Sequence, residues 1–444
     1  MEYFPLIKHS LLDNFSLNCG WVELKTDDKQ IYVQKEYKFG TLKYKNRVGK
    51  LYLFQGWNAN SPYQTVESNM PLYRKSNIMG YIANDSTRFV YIPEISIYPG
   101  YLNLLRLVPV SYSDWHLTRF SIGNFIPQNL STKIFNKVLL KLTLLDDWIK
   151  PAFRFETPYK SMETKVKTTA SNVLAYFTYN GQLFKVELVG NVHQEHSQND
   201  KYVKYKNDTW ILIEGENNIS SDQAIFFATE FRKMFSIVLA RPLNTIQLSK
   251  KGMDNKTSQS LTEDIYFPEM EFEDNKKKLL IYEMFRQKRD IQMNNLIPNW
   301  FNKGENFDLL VQNYLLTISY NETVQNKLIN LTEGIEAYYR DREATLCEKI
   351  QYMLHSLPSY VLNELKKYVG NIDNWALSLK QTRVYIAHGN KRMHVIDDII
   401  ELSQNVNAFQ YLIQYFILQE LDMKIDYKQM VGIVLDSCFN TEKV

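Results

Sequence analysis

Cysteine is scarce in this sequence. Only three of its 444 residues are cysteines, Cys19, Cys347 and Cys438, and they lie far apart. An odd and sparse set excludes the disulfide framework of a small secreted domain and is typical of proteins in a reducing compartment. The first segment, MEYFPLIKHSLLDNF, lacks a basic region followed by a continuous apolar one. We therefore expect no signal peptide and a cytoplasmic location.

An excess of one charge and a long hydrophobic segment are also lacking. The chain has 52 basic and 49 acidic residues, which gives a net charge of +3. So small an excess excludes an overall basic field that holds nucleic acid, and any RNA site must be a local patch. The longest apolar stretch, FQYLIQYFILQEL at residues 409–421, is interrupted by glutamine. It is too short and too polar to span a bilayer, so we expect no membrane partner.

Apolar and aromatic residues, by contrast, are plentiful. They make up 45% and 14% of the chain, enough for packed cores, and the length predicts more than one domain. In the first half, GTLKYKNRVGKLYLFQGW (residues 40–57) alternates apolar and polar residues around NRVGK, which predicts a β-hairpin. RFVYIPEISIYPGYLNLLRLVPV (88–110) and KYVKYKNDTWILIEGE (201–216) are also typical of strands. This half is therefore predicted to be mainly β.

Three further stretches of the first half do not have the alternation of strands. STKIFNKVLLKLTLLDDWI (131–149) shows leucine and isoleucine at helical spacing. SDQAIFFATEFRKMFSIVLA (221–240) predicts a helix more strongly, with Ser221 or Asp222 as the N-cap. LSKKGMDNKTSQSLTED (248–264) is polar and has no periodic apolar residues, so we interpret it as a surface loop near a domain boundary.

The second half is helical almost without interruption. From KKLLIYEMFRQKRDIQMNNL (277–296) onward, segments with apolar residues at i, i+3, i+4 and i+7 alternate with short turns. This pattern is typical of an antiparallel helical bundle. The predicted fold class is therefore α+β and multidomain. A β-rich N-terminal domain at residues 1–265 is followed by a linker helix region at 266–305 and an all-α bundle at 306–444.

One segment of the bundle combines groups that suit cleavage of a phosphodiester bond. In LKQTRVYIAHGNKR (379–392), four residues separate Arg383 from His388. An imidazole exchanges protons near neutral pH, and a planar guanidinium donates paired hydrogen bonds to a phosphate. Cleavage by these two groups does not require a metal ion. On an ideal helix the two positions are about 140° apart, so they converge only if Gly389 ends the helix at His388. A helix end with a capping glycine explains the same residues.

The surroundings of this pair resemble a known family. The helical bundle and the upstream segment LINLTEGIEAYYRDRE (328–343) are similar to the ApeA-like branch of the HEPN domains, whose signature is Arg-x4-6-His. LIPNWFNK (296–303) resembles the linker helix of that family. FSIGNFIP (120–127) and FFATEFRKMFSIVLARPLNTIQL (226–248) resemble the ApeA N-terminal domain. One departure is Val384, because the family often has a polar residue directly after the arginine.

The resemblance implies an antiphage abortive-infection endoribonuclease without metal or cofactor. Arg383 would bind the phosphate and His388 would transfer protons. An acidic residue of residues 328–343, Glu336 rather than Glu333, would orient one of them, although a solvated ion pair of Glu336 with Arg340 is an equal alternative.

The resemblance also implies partners. These are an RNA substrate (transfer RNA is one candidate), a second copy of the chain bound through the HEPN domain, and a phage product recognised by the N-terminal domain. Asn390 would support the site. Lys391 and Arg392 form a local basic cluster that suits RNA phosphates, but such residues also interact favourably with the dipole at a helix end. His394 is a further candidate proton carrier.

Two other interpretations remain open or are weaker. A non-catalytic HEPN-like module that binds RNA or dimerises, with a β-rich ligand-sensing domain, fits the same sequence. His193 and His196 have a His-x-x-His spacing, but they lack further ligands at a recognisable interval. We interpret them as residues of a polar surface loop and expect no metal site.

Overall fold

The computed structural model describes residues 9–27, 30–33, 37–53, 74–97, 113–125, 133–148, 153–156, 165–168, 172–196, 203–269, 272, 293–389, 392–423 and 428–440. Over these residues a large antiparallel sheet is followed by a helical bundle. The predicted α+β fold class, with a β-rich N-terminal part and an all-α C-terminal part, is therefore confirmed. The exact domain boundaries stay a prediction.

The described strands of the N-terminal part pair in an antiparallel manner. In the described ranges, fourteen of them form one sheet, in the order β12-β13-β14-β9-β15-β16-β8-β6-β5-β1-β3-β4-β7 with β2 beside β1, and β10 pairs with β11 separately. Their bounds are β1 Phe15–Asp27, β2 Gln30–Val33, β3 Lys38–Lys45, β4 Val48–Leu53, β5 Arg74–Ile82, β6 Phe89–Ile97, β7 Ser113–Leu117, β8 Phe120–Gly123, β9 Lys133–Leu142, β10 Phe153–Glu156, β11 Lys165–Thr168, β12 Asn172–Tyr179, β13 Gln182–His196, β14 Val203–Gly215, β15 Thr245–Asp254 and β16 Ser260–Tyr266.

The hairpin predicted around NRVGK is confirmed. It consists of β3 and β4, joined by a two-residue turn at Asn46 and Arg47. Both residues have positive φ, 51° and 60°. Two successive positive φ values are typical of the type I′ turn, whose twist matches that of the flanking strands.

The helix predicted at residues 131–149 is wrong for most of its length. This stretch forms β9, and only the short helix α1 (Leu145–Trp148) follows it. β9 lies between β14 and β15, and Val138, Leu139 and Leu140 are all fully buried. A strand covered on both faces has a continuous apolar run instead of alternation, so its sequence is easily mistaken for a helix.

The surface loop predicted at residues 248–264 is also wrong. The stretch forms most of the β15–β16 hairpin in the middle of the sheet. Its strands bury polar residues in matched pairs: the Ser249 hydroxyl donates to Asp264 at 2.6 Å, and the Lys250 ammonium lies 2.7 Å from Glu263. Because each buried polar group has a partner, the strand is stable without the apolar pattern that sequence analysis looks for.

The helices follow the sequence pattern closely. The stretch 221–240 contains α2, Ser221–Leu239, whose N-cap is Ser220 and not Ser221 or Asp222. Ser220 and Gln223 form a capping box. Most of the segment 277–296 lies outside the described residues. The helix bounds are α2 Ser221–Leu239, α3 Met293–Phe301, α4 Glu305–Ser319, α5 Val324–Tyr338, α6 Leu346–His355, α7 Ser359–Val369, α8 Ile372–His388, α9 Ile399–Glu420 and α10 Lys428–Phe439.

Helix α2 joins the sheet to the bundle. On one side it packs against β9 and β15, and on the other against α4 and α9. The buried Gln414 of α9 donates to the carbonyl of Ile237 at 2.5 Å, and Trp300 Nε1 of α3 donates to Glu230 at 3.0 Å. The two parts of the chain consequently share one continuous core.

Candidate functional site

Helix α8 carries both residues of the arginine–histidine pair. Asn371 caps its start by accepting a hydrogen bond from the amide of Asn374. Gly389 ends it with a φ of 72°, and its amide donates to the carbonyl of Tyr385 at 2.7 Å. His388 is therefore the last residue of the helix, and its side chain is exposed to solvent.

Arg383 lies one and a half turns before the end of α8, on a different side of the helix from His388. Its side chain is 22% exposed and its guanidinium lies 4.0 Å from the carboxylate of Glu336, whose side chain is 50% exposed. Its Nε is buried and has no hydrogen-bond partner among the described residues. A buried donor without an acceptor is unfavourable.

The alternative pair of Glu336 with Arg340 is not formed within the described residues. Arg340 lies instead 3.5 Å from Glu305 and 3.7 Å from Asp341. Glu333, three residues before Glu336, is exposed. Of the two candidate carboxylates, the structure therefore places Glu336 beside Arg383.

The segment that follows the motif folds back along α8. The amide of His394 donates to Gln381 Oε1 at 3.1 Å, and the buried amide of Ile396 donates to the Thr382 hydroxyl at 2.9 Å. Thr382 in turn donates to the carbonyl of Ser378 within the helix. These bonds place exposed Arg392 and His394 beside the motif helix. Asn390 and Lys391 lie outside the described residues.

Sequence reasoning did not identify Gln381 and Thr382 as anchors of this segment. Both are polar residues inside a helix, a position where such side chains often bond to a nearby backbone group. Thr382 is 1% exposed, so an apolar side chain was the ordinary expectation there.

An apolar surface lies next to the basic residues. Met393 is 95% exposed, and Ile399 and Ile400 at the start of α9 are each 52% exposed. The side chain of Asp398 caps α9 by accepting from two backbone amides, so the polar end of the helix is satisfied while the isoleucines face water.

The described residues offer no group of three or more His, Cys, Asp or Glu side chains arranged to hold a metal ion. His193 and His196 lie in strand β13, so the prediction of a polar loop around them is wrong. No helix in the described part of the chain is long and apolar enough to cross a membrane.

Comparison with known proteins assigns the helical part of the chain. The family model of the Apea-like HEPN domains matches residues 273–427, which include α3 to α9 and the arginine–histidine pair. The match covers less than half of the chain, and no curated protein and no solved structure matches it. HEPN domains are nuclease or RNA-binding modules, and many are ribonucleases. The C-terminal part of this chain is an Apea-like HEPN domain.

Proposed function

We propose that this protein is an endoribonuclease that cleaves RNA without a metal ion and acts in antiphage defence by abortive infection. The observation that carries the proposal is that exposed His388 ends α8 and Arg383 lies one and a half turns before it, inside the region that matches the HEPN family. The guanidinium of Arg383 lies 4.0 Å from the carboxylate of Glu336.

The chemistry follows from the two side chains. Neutral His388 takes the proton of a ribose 2′-hydroxyl, whose oxygen attacks the adjacent phosphorus. The bond to the 5′ oxygen breaks, and that oxygen receives a proton. The products are a 2′,3′-cyclic phosphate and a 5′-hydroxyl. Arg383 donates to the non-bridging oxygens and stabilises the charge that develops there. A substrate without the 2′-hydroxyl, such as DNA, is not cleaved.

A homodimer completes this site. The reaction needs one group to accept a proton and one to donate it, and a single copy presents one motif histidine. Because Arg383 and His388 lie about 140° apart around α8, one copy does not place both on one face. The exposed Met393, Ile399 and Ile400 beside the motif provide an apolar surface for the second copy. Pairing there brings two motifs to one groove.

The residues around the pair have supporting roles. Glu336 orients the Arg383 guanidinium from the neighbouring helix α5. Arg392 lies on the segment that folds back along α8, where it reaches a phosphate of the bound RNA. Asn390 and Lys391 are proposed for the same groove from the sequence alone. The substrate is cellular RNA, with transfer RNA as one candidate, and the N-terminal domain restrains the enzyme until a phage product is present.

Replacement of the histidine tests the proposal. Purified protein is incubated with total bacterial RNA in EDTA, with and without extract of phage-infected cells. We expect cleavage by the wild type, none by His388→Ala, and cleavage at least about a hundredfold slower by Arg383→Ala. His116→Ala, an exposed histidine of β7, is the matched control and should cleave normally. Failure of the wild type to cleave in either condition, or full cleavage by His388→Ala, contradicts the proposal and favours a non-catalytic RNA-binding module.

A further inference from the structure

A cavity lies between helices α2 and α4 and contains neither residue of the arginine–histidine pair. Its volume is about 260 Å³. Residues of α2 line one side, residues of α4 and the adjoining Tyr320 line the other, and Phe272 also lines it. Benzene occupies a cavity of about 150 Å³, so this space admits a ligand of one or two rings. Because the HEPN match includes α4 but not α2, such a ligand contacts both parts of the chain.

The guanidinium of Arg232 is available to a ligand in this cavity. Its side chain is 14% exposed, and its Nε lies 2.8 Å from the carboxylate of Glu269. The two η nitrogens form no hydrogen bond with a described residue, and both are accessible to solvent. Two such nitrogens donate in parallel to the two oxygens of a carboxylate. Arg232 therefore provides a binding position for one carboxylate.

The cavity has one positive charge in excess, because two arginines share one carboxylate. Arg47, which is 2% exposed, also donates to Glu269, at 2.6 Å, so this buried carboxylate balances only one of the two guanidinium groups. Lys233, the other cation of the lining, is paired with Glu230 at 2.8 Å and adds no excess. The lining contains no carboxylate among the described residues. A ligand with a single negative charge therefore balances the site.

The rest of the lining is largely apolar. The guanidinium carbon of Arg232 lies 5.3 Å from the centre of the Phe272 ring, and the rings of Phe272 and Tyr320 meet edge to face at 6.3 Å. Leu316 and Tyr320 are 39% and 41% exposed. A ligand that covers these two side chains removes apolar surface from water, which favours binding.

We propose that this cavity binds a small aromatic carboxylate. The carboxylate pairs with the η nitrogens of Arg232, and the ring lies against Leu316, Tyr320 and Phe272. A phosphate dianion would bring one charge more than the cavity balances, and a neutral ring would leave the excess charge of the arginines without a partner. The bound molecule joins α2 to α4 and so stabilises the contact between the sheet and the HEPN domain.

Titration calorimetry of the full-length chain with indole-3-acetate, indole and acetate tests this site. Indole-3-acetate should bind with a Kd below about 1 mM, and indole and acetate, which each supply only one half of the contacts, should bind at least about tenfold more weakly. Indole-3-acetate should also raise the melting temperature, because it binds to the folded chain.

Two variants remove the two halves of the site. Arg232→Met should weaken binding of indole-3-acetate at least about tenfold, because the charged hydrogen bonds are lost. Glu269 keeps Arg47 as its partner in this variant. Leu316→Asp changes an exposed side chain, so the fold is kept, and it should abolish binding because it places a negative charge beside the ligand.

Two control variants separate this cavity from other positions. Ile433→Asp changes an apolar side chain of α10 that is 55% exposed, and it should bind indole-3-acetate as the wild type does. Arg383→Ala should also bind normally. Melting temperatures without ligand establish that each variant is folded. No saturable binding by the wild type, equally tight binding of indole or acetate, unchanged binding by Arg232→Met or Leu316→Asp, or loss of binding in either control would each overturn the proposal.

Discussion

The carboxylate of Glu336 on α5 lies 4.0 Å from the guanidinium of Arg383 on α8. Forty-six residues separate them in the chain, and the packing of the bundle brings them together. At this distance the two side chains attract each other without a hydrogen bond, and the Nε of Arg383 is buried without an acceptor among the described residues. In the proposed mechanism, this attraction holds the guanidinium in position for the phosphate.

Glu336→Gln should lower kcat/KM for RNA cleavage about tenfold, because the neutral amide orients Arg383 less firmly. Glu333→Gln, three residues earlier on the same helix, should have no effect. The double variant Glu336→Gln/Arg383→Ala should be no worse than Arg383→Ala alone, since Glu336 acts through the arginine. Steady-state kinetics of the wild type and the four variants measures these changes in kcat/KM. Additive losses would show that Glu336 does not act through Arg383.

Gly389→Ala should reduce both stability and cleavage. The φ of 72° is unfavourable for alanine. Apart from the two neighbours of Gly389 in the chain, no described residue has an atom within 4 Å of the added methyl group. The loss of stability is therefore one of backbone conformation, about 1 kcal/mol. Relaxation of that turn moves the adjacent His388. Gly181 in the β12–β13 hairpin has a φ of 75° and equally open space. Gly181→Ala should lower the free energy of unfolding by a similar amount without loss of cleavage. Equal cleavage by Gly181→Ala and Gly389→Ala would contradict the account.

Glu230→Gln should destabilise the junction between sheet and bundle by about 3 kcal/mol, because the neutral amide is a weaker partner for two partly buried lysines. Glu230 accepts from Trp300 Nε1 and also contacts Lys303 and Lys233. Glu214 pairs with Lys137 and is more exposed than Glu230. Glu214→Gln should therefore lower the free energy of unfolding by less than about 1 kcal/mol. Unfolding in urea measures both values. Equal values for the two variants would mean that the buried cluster contributes little.

The same carboxylate makes stability depend on pH. Burial would raise the pKa of Glu230, but Lys303 and Lys233 outweigh it and hold the pKa below its ordinary value of 4.5. The stabilisation is therefore fully present above about pH 4.5 and is lost as the pH falls through the lower pKa of the folded state. The difference in unfolding free energy between wild type and Glu230→Gln should shrink over that range. A constant difference down to pH 2–3, roughly two units below an ordinary carboxyl pKa, would contradict this origin.

Local patterns predicted most of the helices and the hairpin at Asn46 and Arg47, because caps, apolar spacing and turn residues act over a few positions. A helix end with a capping glycine was one of the two interpretations of the residues around His388, and α8 does end there. The family resemblance, and not the spacing alone, directed attention to Glu336.

Tertiary contacts explain what the sequence did not reveal. β9 is buried on both faces, and β15 and β16 bury charges that only a neighbouring strand satisfies, so neither region has an amphipathic pattern. The bond of the Ile396 amide to Thr382 joins residues that are fourteen positions apart.

The chemistry of the cut ends tests the central claim most directly. A short RNA that the wild type cleaves in EDTA is prepared with and without a single 2′-deoxy nucleotide at the cleavage position. The account predicts a 2′,3′-cyclic phosphate and a 5′-hydroxyl from the unmodified RNA, and no cleavage at the deoxy position. Fragments with a 3′-hydroxyl and a 5′-phosphate, or cleavage of the deoxy substrate, would contradict it.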